Sequence, residues 1–269
     1  MSLMGIDVGT TGCKVIALAL DGAILAGAQR EYNMVRPQPG WAELDSRQVW
    51  GLIQEAIREV AAQTHHDPVT ALCVSSMGEA MTPVSRDRQI LGNCLMGFDS
   101  RGSETADQLA ELDPVMFFER SGNLVGNMYG GTKLIWLRDN AADLWARTYK
   151  FLGWADLVAY LLGGEPVTDY SLANRSLFFD LRRADWSDET LRLVGMPRDK
   201  LPGLAQAGTV VGSVSPAMAE ALGLSPDVAI VIGAHDQCAN SVGAGVLKPG
   251  MAVYGLGTFT CITPTYGAI

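Results

Sequence analysis

The residues that could do chemistry in this sequence are acids set among small residues at the ends of apolar runs. Met4-Gly5-Ile6-Asp7-Val8-Gly9-Thr10-Thr11-Gly12-Cys13-Lys14 ends an apolar stretch in an acid, then gives glycines, hydroxyls and a lysine. Such a turn suits an anion: glycines let backbone amides approach, threonine hydroxyls donate, and Lys14 adds positive charge. Asp7 is a poor ligand for phosphate, yet its hard oxygens suit magnesium, held largely through water. The plainer reading is a hairpin whose Gly-Thr turn is only geometric, because short motifs misfire often. The pattern is not that of a P-loop, since the turn joins two strands and opens no helix. Glu79 follows Gly78 at the end of another apolar run. It could accept hydrogen bonds from substrate hydroxyls, or stand as a solvated loop glutamate. Asp99 and Arg101 could simply pair with each other across their loop. His235-Asp236-Gln237 leaves Val228-Ala229-Ile230-Val231-Ile232-Gly233, the most apolar run in the chain.

The elements that must position these groups read as an α/β arrangement. Met4–Val8, Lys14–Leu20 and Ile24–Tyr32 form a meander, with Asp21-Gly22 as a hairpin turn. Met34–Trp41 is a Pro-containing loop. Asp45 caps a helix in which Val49, Ile53, Ile57 and Val60 recur at helical spacing, with Gln48 as capping-box partner. Ala71–Ser75 is a short strand, so meander, helix and strand make a mixed sheet with a crossover. A helix is predicted from about Gly102 to Leu112, and a buried helix turn over Leu134–Leu137. Lys150–Leu152 reads as strand and Trp154–Leu162 as a helix closed by Gly163-Gly164. Thr168–Ser171 reads as loop, and Ser187 caps a further helix ending near Gly195. Val228–Gly233 is a buried strand. Its carboxyl end, like that of Ala71–Ser75, is the edge where open α/β sheets place ligands. Met251–Thr263 reads as strand, Gly-Leu-Gly-Thr turn, strand, an echo of the opening hairpin. Met1 and Ser2 read as a leader outside the fold.

Composition narrows the classes. The chain has 269 residues, 48% of them hydrophobic, ample for a core. With 20 basic against 29 acidic residues the net charge is −9, which argues against nucleic acid or an anionic membrane as main partner. A nucleotide is still admissible, because a local nest of amides outweighs distant charge. The five cysteines, Cys13, Cys73, Cys94, Cys238 and Cys261, are scattered and never in a CxxC pair. That points to a reducing, cytoplasmic setting with no disulfide framework and no zinc ribbon. No apolar run approaches the roughly 18 residues of a membrane span.

Taken together, these motifs resemble the FGGY family of carbohydrate kinases, in order from Ile6 onward. Asp7-Val8-Gly9-Thr10-Thr11 with Lys14 resembles the family's first phosphate motif, and Gly255-Leu256-Gly257-Thr258 its second. Lys133-Leu134-Ile135-Trp136-Leu137-Arg138-Asp139-Asn140 is similar to a family signature, with Gly130 where that signature has Ser, Thr or Pro. Thr168-Asp169-Tyr170-Ser171 with Ala173 and Phe179-Asp180, then Trp186-Ser187, Leu201-Pro202 and Gly233–Gln237, complete the order. The resemblance implies an actin-like, ribonuclease-H-like α/β domain over residues 1–250 that holds a sugar. It also implies that residues 251–269 begin a second domain that closes over ATP, whose remainder is absent from this chain. On that reading the 269-residue chain should fold and bind sugar weakly, but not phosphorylate it by itself. Further implications are Asp236 as base, Asp7 holding Mg2+, and Gly9, Thr10, Thr11, Lys14, Gly257 and Thr258 on the ATP phosphates. Met77, Gly78, Glu79, Asp99, Arg101, Met128, Asp236 and Gln237 would face the substrate, while His235 supports the loop.

Three departures bear on the substrate. Gly78-Glu79 stands where relatives often have Met-His or Arg-Glu, Gly97 where many have Trp, and Met128 where glycerol kinases have Tyr. The pocket implied is one for some pentulose, hexonate or polyol. The partners implied are a small sugar or polyol and ATP, with a homodimer as an open assembly state. The alternatives are a non-catalytic sugar-binding or regulatory protein of the same fold, and an actin-like assembly ATPase.

Overall fold

The computed structural model describes residues 1–256 and 260–268. Six strands form the central sheet, in the spatial order Val210–Ser213, Ala229–His235, Val69–Ser76, Ser2–Val8, Gly12–Ala19, Ile24–Glu31. The three inner strands, Ala229–His235, Val69–Ser76 and Ser2–Val8, run parallel. The outer ones attach antiparallel. Parallel neighbours need a crossover, and the helix Ser46–Gln63 supplies the first one. The expected meander is present, and Ser2, expected to lie outside the fold, belongs to its first strand. Ser2 is fully buried, and its hydroxyl donates to the Asp67 carbonyl.

Alternation decides which face of the sheet is dry. Met4, Ile6 and Val8 are buried and lie in register with Leu72, Val74 and Ser76; Ile230 and Ile232 extend the same row. Ser46–Gln63 covers this row with Val49, Ile53, Ala56, Ile57 and Val60, as its periodicity predicts. Asp45 caps it by accepting from the Arg47 and Gln48 amides. Trp154–Leu162, buried on every side, packs into the same core.

A second core lies apart from the first. Phe117, Leu134, Phe151, Phe178, Phe179 and Trp186 anchor it, on segments between Leu95 and Leu201. It includes the helices Ser103–Leu112, Pro114–Ser121, Gly130–Asn140 and Asp188–Val194. It forms because the aromatic-rich stretch after Leu95 buries its own side chains. The Thr168–Ser171 loop of the sequence reading is corrected. Val167–Asp169 is a strand and Tyr170–Asn174 a short helix, because Asp169 accepts from the Ser171 and Leu172 amides and so caps a helix start. Asp236–Gly243 is a helix that the sequence reading left out. The strands Ala252–Leu256 and Thr260–Pro264 pair as expected. Gly257 and Thr258 of the second Gly-Thr turn lie outside the described residues.

One glycine fixes the strand packing beside the site. A Cβ on Gly233 would sit 1.9 Å from the Val74 carbonyl oxygen, where the pairing of the two parallel strands shifts register. Gly233→Ala should therefore destabilise the fold by at least ~2 kcal/mol, since backbone and not a flexible side chain must yield. In urea unfolding, Gly51→Ala, in a helix with open space around it, should be neutral or stabilising by up to ~1 kcal/mol. Equal midpoints for the two variants would refute this packing.

Candidate active site

The three parallel strands stop at one edge, and the polar groups collect there. Asp7 lies opposite Ser75 across the parallel pair, and the Ser75 hydroxyl donates to Asp7 Oδ1 at 2.8 Å. Lys14 faces Asp7 across the antiparallel pair, with its side chain exposed. The turn between them is closed by Gly9 N–H donating to the Gly12 carbonyl, and Tyr32 Oη donates to the Gly9 carbonyl. On the other side, Ala229–His235 delivers Asp236 as the first residue of its helix. Asp7, Ser75, Asp236, Gln237 and Asn240 line a cleft of about 490 Å³ that the terminal hairpin borders through Gly255, Leu256 and Cys261.

Burial raises the pKa of the Asp236 carboxyl above its ordinary value. The Gln237 amide and Arg175 work against that rise, while the Asp7 charge adds to it. Burial also lowers the pKa of His235, so its ring is neutral near pH 7. His235 Nε2 stands 3.2 Å from Asp236 Oδ1. The His235 amide in turn donates to Ser171 Oγ, whose hydroxyl donates to Asp169.

Gly78 and Glu79 sit beside this group. Glu79 takes a left-handed φ of 59°, in a three-residue turn closed by the Ala80 amide donating to the Gly78 carbonyl. For a glutamate that conformation is strained, and such strain persists only where neighbours enforce it. Here the neighbour is Arg175, which the sequence reading missed. Its Nε donates to Glu79 Oε1 at 2.5 Å and its Nη2 to the same oxygen. The Arg175 guanidinium also lies over the Tyr129 ring, 4.9 Å from its centroid. Only the capping signal at Asp169 pointed toward it, since Asp169 starts the helix that ends at Arg175.

The structure separates the remaining expected substrate residues. Met77 is buried, and with Gly78 and Glu79 it lines a closed void of about 10 Å³. Met128 is 49% exposed, while its neighbour Tyr129 turns inward. Asp99 and Arg101 are a correction: they do not face the cleft with free polar atoms. Asp99 is 0% exposed. Its Oδ1 accepts from the Arg101 amide and Nε, and its Oδ2 from the Ala42 amide and Arg101 Nη2. Burial alone would raise the Asp99 pKa, but these donors outweigh it and hold the carboxyl below its usual range. Arg101 also pairs with Glu43 and stacks over Trp41 and Trp136. The local pairing that ordinary ion-pair statistics favoured is the one that forms. Lys133 is buried behind the site and donates to the Gly97 carbonyl at 2.7 Å, and burial pushes its pKa down to about 8.

Known proteins share the sequence pattern and the fold. A family model for the N-terminal domain of the FGGY family of carbohydrate kinases matches residues 2–243. The chain belongs to the FGGY family of carbohydrate kinases. It is similar to a xylulose kinase of Klebsiella pneumoniae, 30% identical over 95% of this chain and 52% of that protein. A glycerol kinase of Janthinobacterium sp. is 30% identical over 99% of the chain and 55% of its own length. The structure of a ligand-bound xylulose kinase from Lactobacillus acidophilus superposes with a TM-score of 0.90 at 22% identity, covering 98% of this chain and 55% of that one. The FGGY chain described here thus spans about half the length of the relatives it matches. Its mixed sheet with helices is the actin-like fold of the family, as the sequence implied.

One buried acid in this FGGY domain has no task at the cleft. Asp156 borders the closed void; among the described residues its Oδ1 has no hydrogen-bond partner, and its Oδ2 accepts from the Gly153 amide at 3.2 Å. Burial, reinforced by the charge of Asp169, raises its pKa well above the ordinary 3.8. The folded state therefore keeps a proton that the unfolded chain releases. Asp156 contributes its full stability below 3.8 and loses it as pH rises toward the folded value. Asp156→Asn, neutral at every pH, should gain thermal stability relative to wild type as pH rises above 3.8. Parallel unfolding profiles of the two proteins across that range would show the acid to be ionised.

Proposed function

We propose that the chain is the sugar-binding part of an ATP-dependent kinase that phosphorylates a hydroxyl of a small sugar, sugar acid or polyol. Residues 1–250 form its sugar domain and residues 251–269 open the ATP-binding one. The observation that carries this reading is Asp236. It is a carboxylate of raised pKa, fixed on a helix start at the end of a buried strand, in contact with His235 and sharing a cleft with a second acid, Asp7.

The residues present fit the cofactors that the family implies. Asp7 keeps Oδ2 clear of its hydrogen bond with Ser75, and magnesium needs only one or two carboxylates beside water and phosphate. Among the described residues no group of three metal-ligating side chains gathers, which suits that ion better than zinc. The Gly9-Thr10-Thr11 turn and Lys14 offer amides, hydroxyls and a cation to phosphate oxygens. Bound MgATP would supply the phosphoryl group and neutralise its charge. The protein's part is positional: Asp236 accepts the proton of the attacking hydroxyl, and the cleft walls hold that hydroxyl in line. A cytoplasmic setting is consistent with five free cysteines. Among the described residues no helix is long and apolar enough to cross a membrane.

The test is turnover. In the protein at its full natural length, supplied with a panel of polyols, ketoses and sugar acids, ADP release should depend on one of them. Asp236→Asn should keep substrate affinity while lowering turnover roughly 10²–10⁴-fold, the range for a lost general base. The wild-type rate should also decline as pH falls through a pKa above 3.8, because Asp236 must be ionised to accept a proton. Near-normal turnover of Asp236→Asn would remove the residue from the reaction.

A further inference from the structure

The hydrogen bonds within the Glu79–Arg175 pair leave two atoms over. Nε and Nη2 both go to Oε1 of Glu79, so the pairing itself leaves Arg175 Nη1 and Glu79 Oε2 unused. The pair is mostly but not wholly enclosed, its side chains 20% and 15% exposed. Two glycines flank it. A Cβ on Gly78 would lie 2.9 Å from Arg175 Cγ and 3.1 Å from the His235 ring, so any side chain there would displace both. On the other flank, a Cβ on Gly97 would be 3.8 Å from Glu79 Oε2. Arg175 therefore occupies space that a side chain at position 78 would fill, and Oε2 is left uncovered on the Gly97 side.

We infer that Arg175 is a substrate-recognition residue that, with Glu79, reads two adjacent hydroxyls of an uncharged ketose or polyol. This rests on the kinase reading above and narrows its substrate. Nη1 donates to one hydroxyl oxygen, the next hydroxyl donates to Oε2, and a third is left for Asp236. Arg175 and the His235 ring both crowd Gly78, and His235 Nε2 stands 3.2 Å from Asp236, so recogniser and base are neighbours. Pairing decides against sugar acids. Asp7 and Asp236 line the cleft, with Lys14 facing Asp7, while Glu79 lies beside it against Arg175. Lys133 stands behind Gly97, engaged with its carbonyl and with Asn127. A substrate carboxylate would meet an Arg175 already neutralised by Glu79, whereas a pair of hydroxyls matches one donor and one acceptor. A site built on such pairing rejects a ligand that strands its polar groups.

Calorimetric titration of the chain with D-xylulose, glycerol and D-gluconate tests this directly. At least one neutral probe should bind, and gluconate should bind at least about tenfold more weakly. Arg175→Gln should weaken the neutral probe by about 10- to 100-fold and narrow the gap to gluconate. Gly78→Ala changes no charge but pushes Arg175 aside, and should weaken the same probe in the same direction. It decides the matter should Arg175→Gln fail to fold. Wild-type affinity for the neutral probe in the folded variants, or gluconate as the tightest ligand, would overturn the assignment and leave the kinase reading standing. Absence of binding by all three probes to the wild-type chain would overturn both.

Discussion

Everything at this site depends on three parallel strands from distant parts of the sequence ending at the same level. Ser2–Val8, Val69–Ser76 and Ala229–His235 share one apolar face, and burial of alternate residues locks their register. A slip of one residue would turn Asp7 into the core and Ile6 toward the cleft. The hydrophobic effect, which carries no chemical information, thus determines where the carboxylates stand. The Gly233–Val74 contact shows how narrow the allowance is, because two backbones touch where a methyl group would not fit.

The sequence was legible where local chemistry and position coincide. The meander, the capped helix at Asp45, the buried helix Trp154–Leu162 and the strand before Asp236 each carry a signal within a few residues, and each formed. Asp7, Ser75 and Asp236 came together because strand ends are readable and α/β sheets place ligands there. What escaped was set by tertiary contact. Arg175 sits in an unremarkable stretch, and its meeting with Glu79 spans 96 residues. Asp99 looked equal to Glu79 as a polar loop acid, yet a two-residue neighbour and the Ala42 amide claimed both its oxygens. The second core escaped for a related reason: aromatic residues between Leu95 and Leu201 announce burial without saying in which core.

The ionisable groups at the edge form a graded set. Arg101 and Asp99 satisfy each other completely and serve as structure. Lys133, held off its usual pKa by burial, spends its charge on the Gly97 carbonyl and the Asn127 side chain. Asp236 is buried enough to have its pKa raised, yet it lines an open cleft. Among the described residues this combination of desolvation and access sets Asp236 apart from an acid such as Asp99 more clearly than residue type does.

The short helix Tyr170–Asn174 ties two of these groups together. Its Ser171 hydroxyl accepts the His235 amide, its end carries Arg175, and its start is pinned by Asp169. The backbone before Arg175 and the backbone of His235 are thus joined through one five-residue helix. A substitution that shifts this helix would shift both flanks of the site together, and not one against the other.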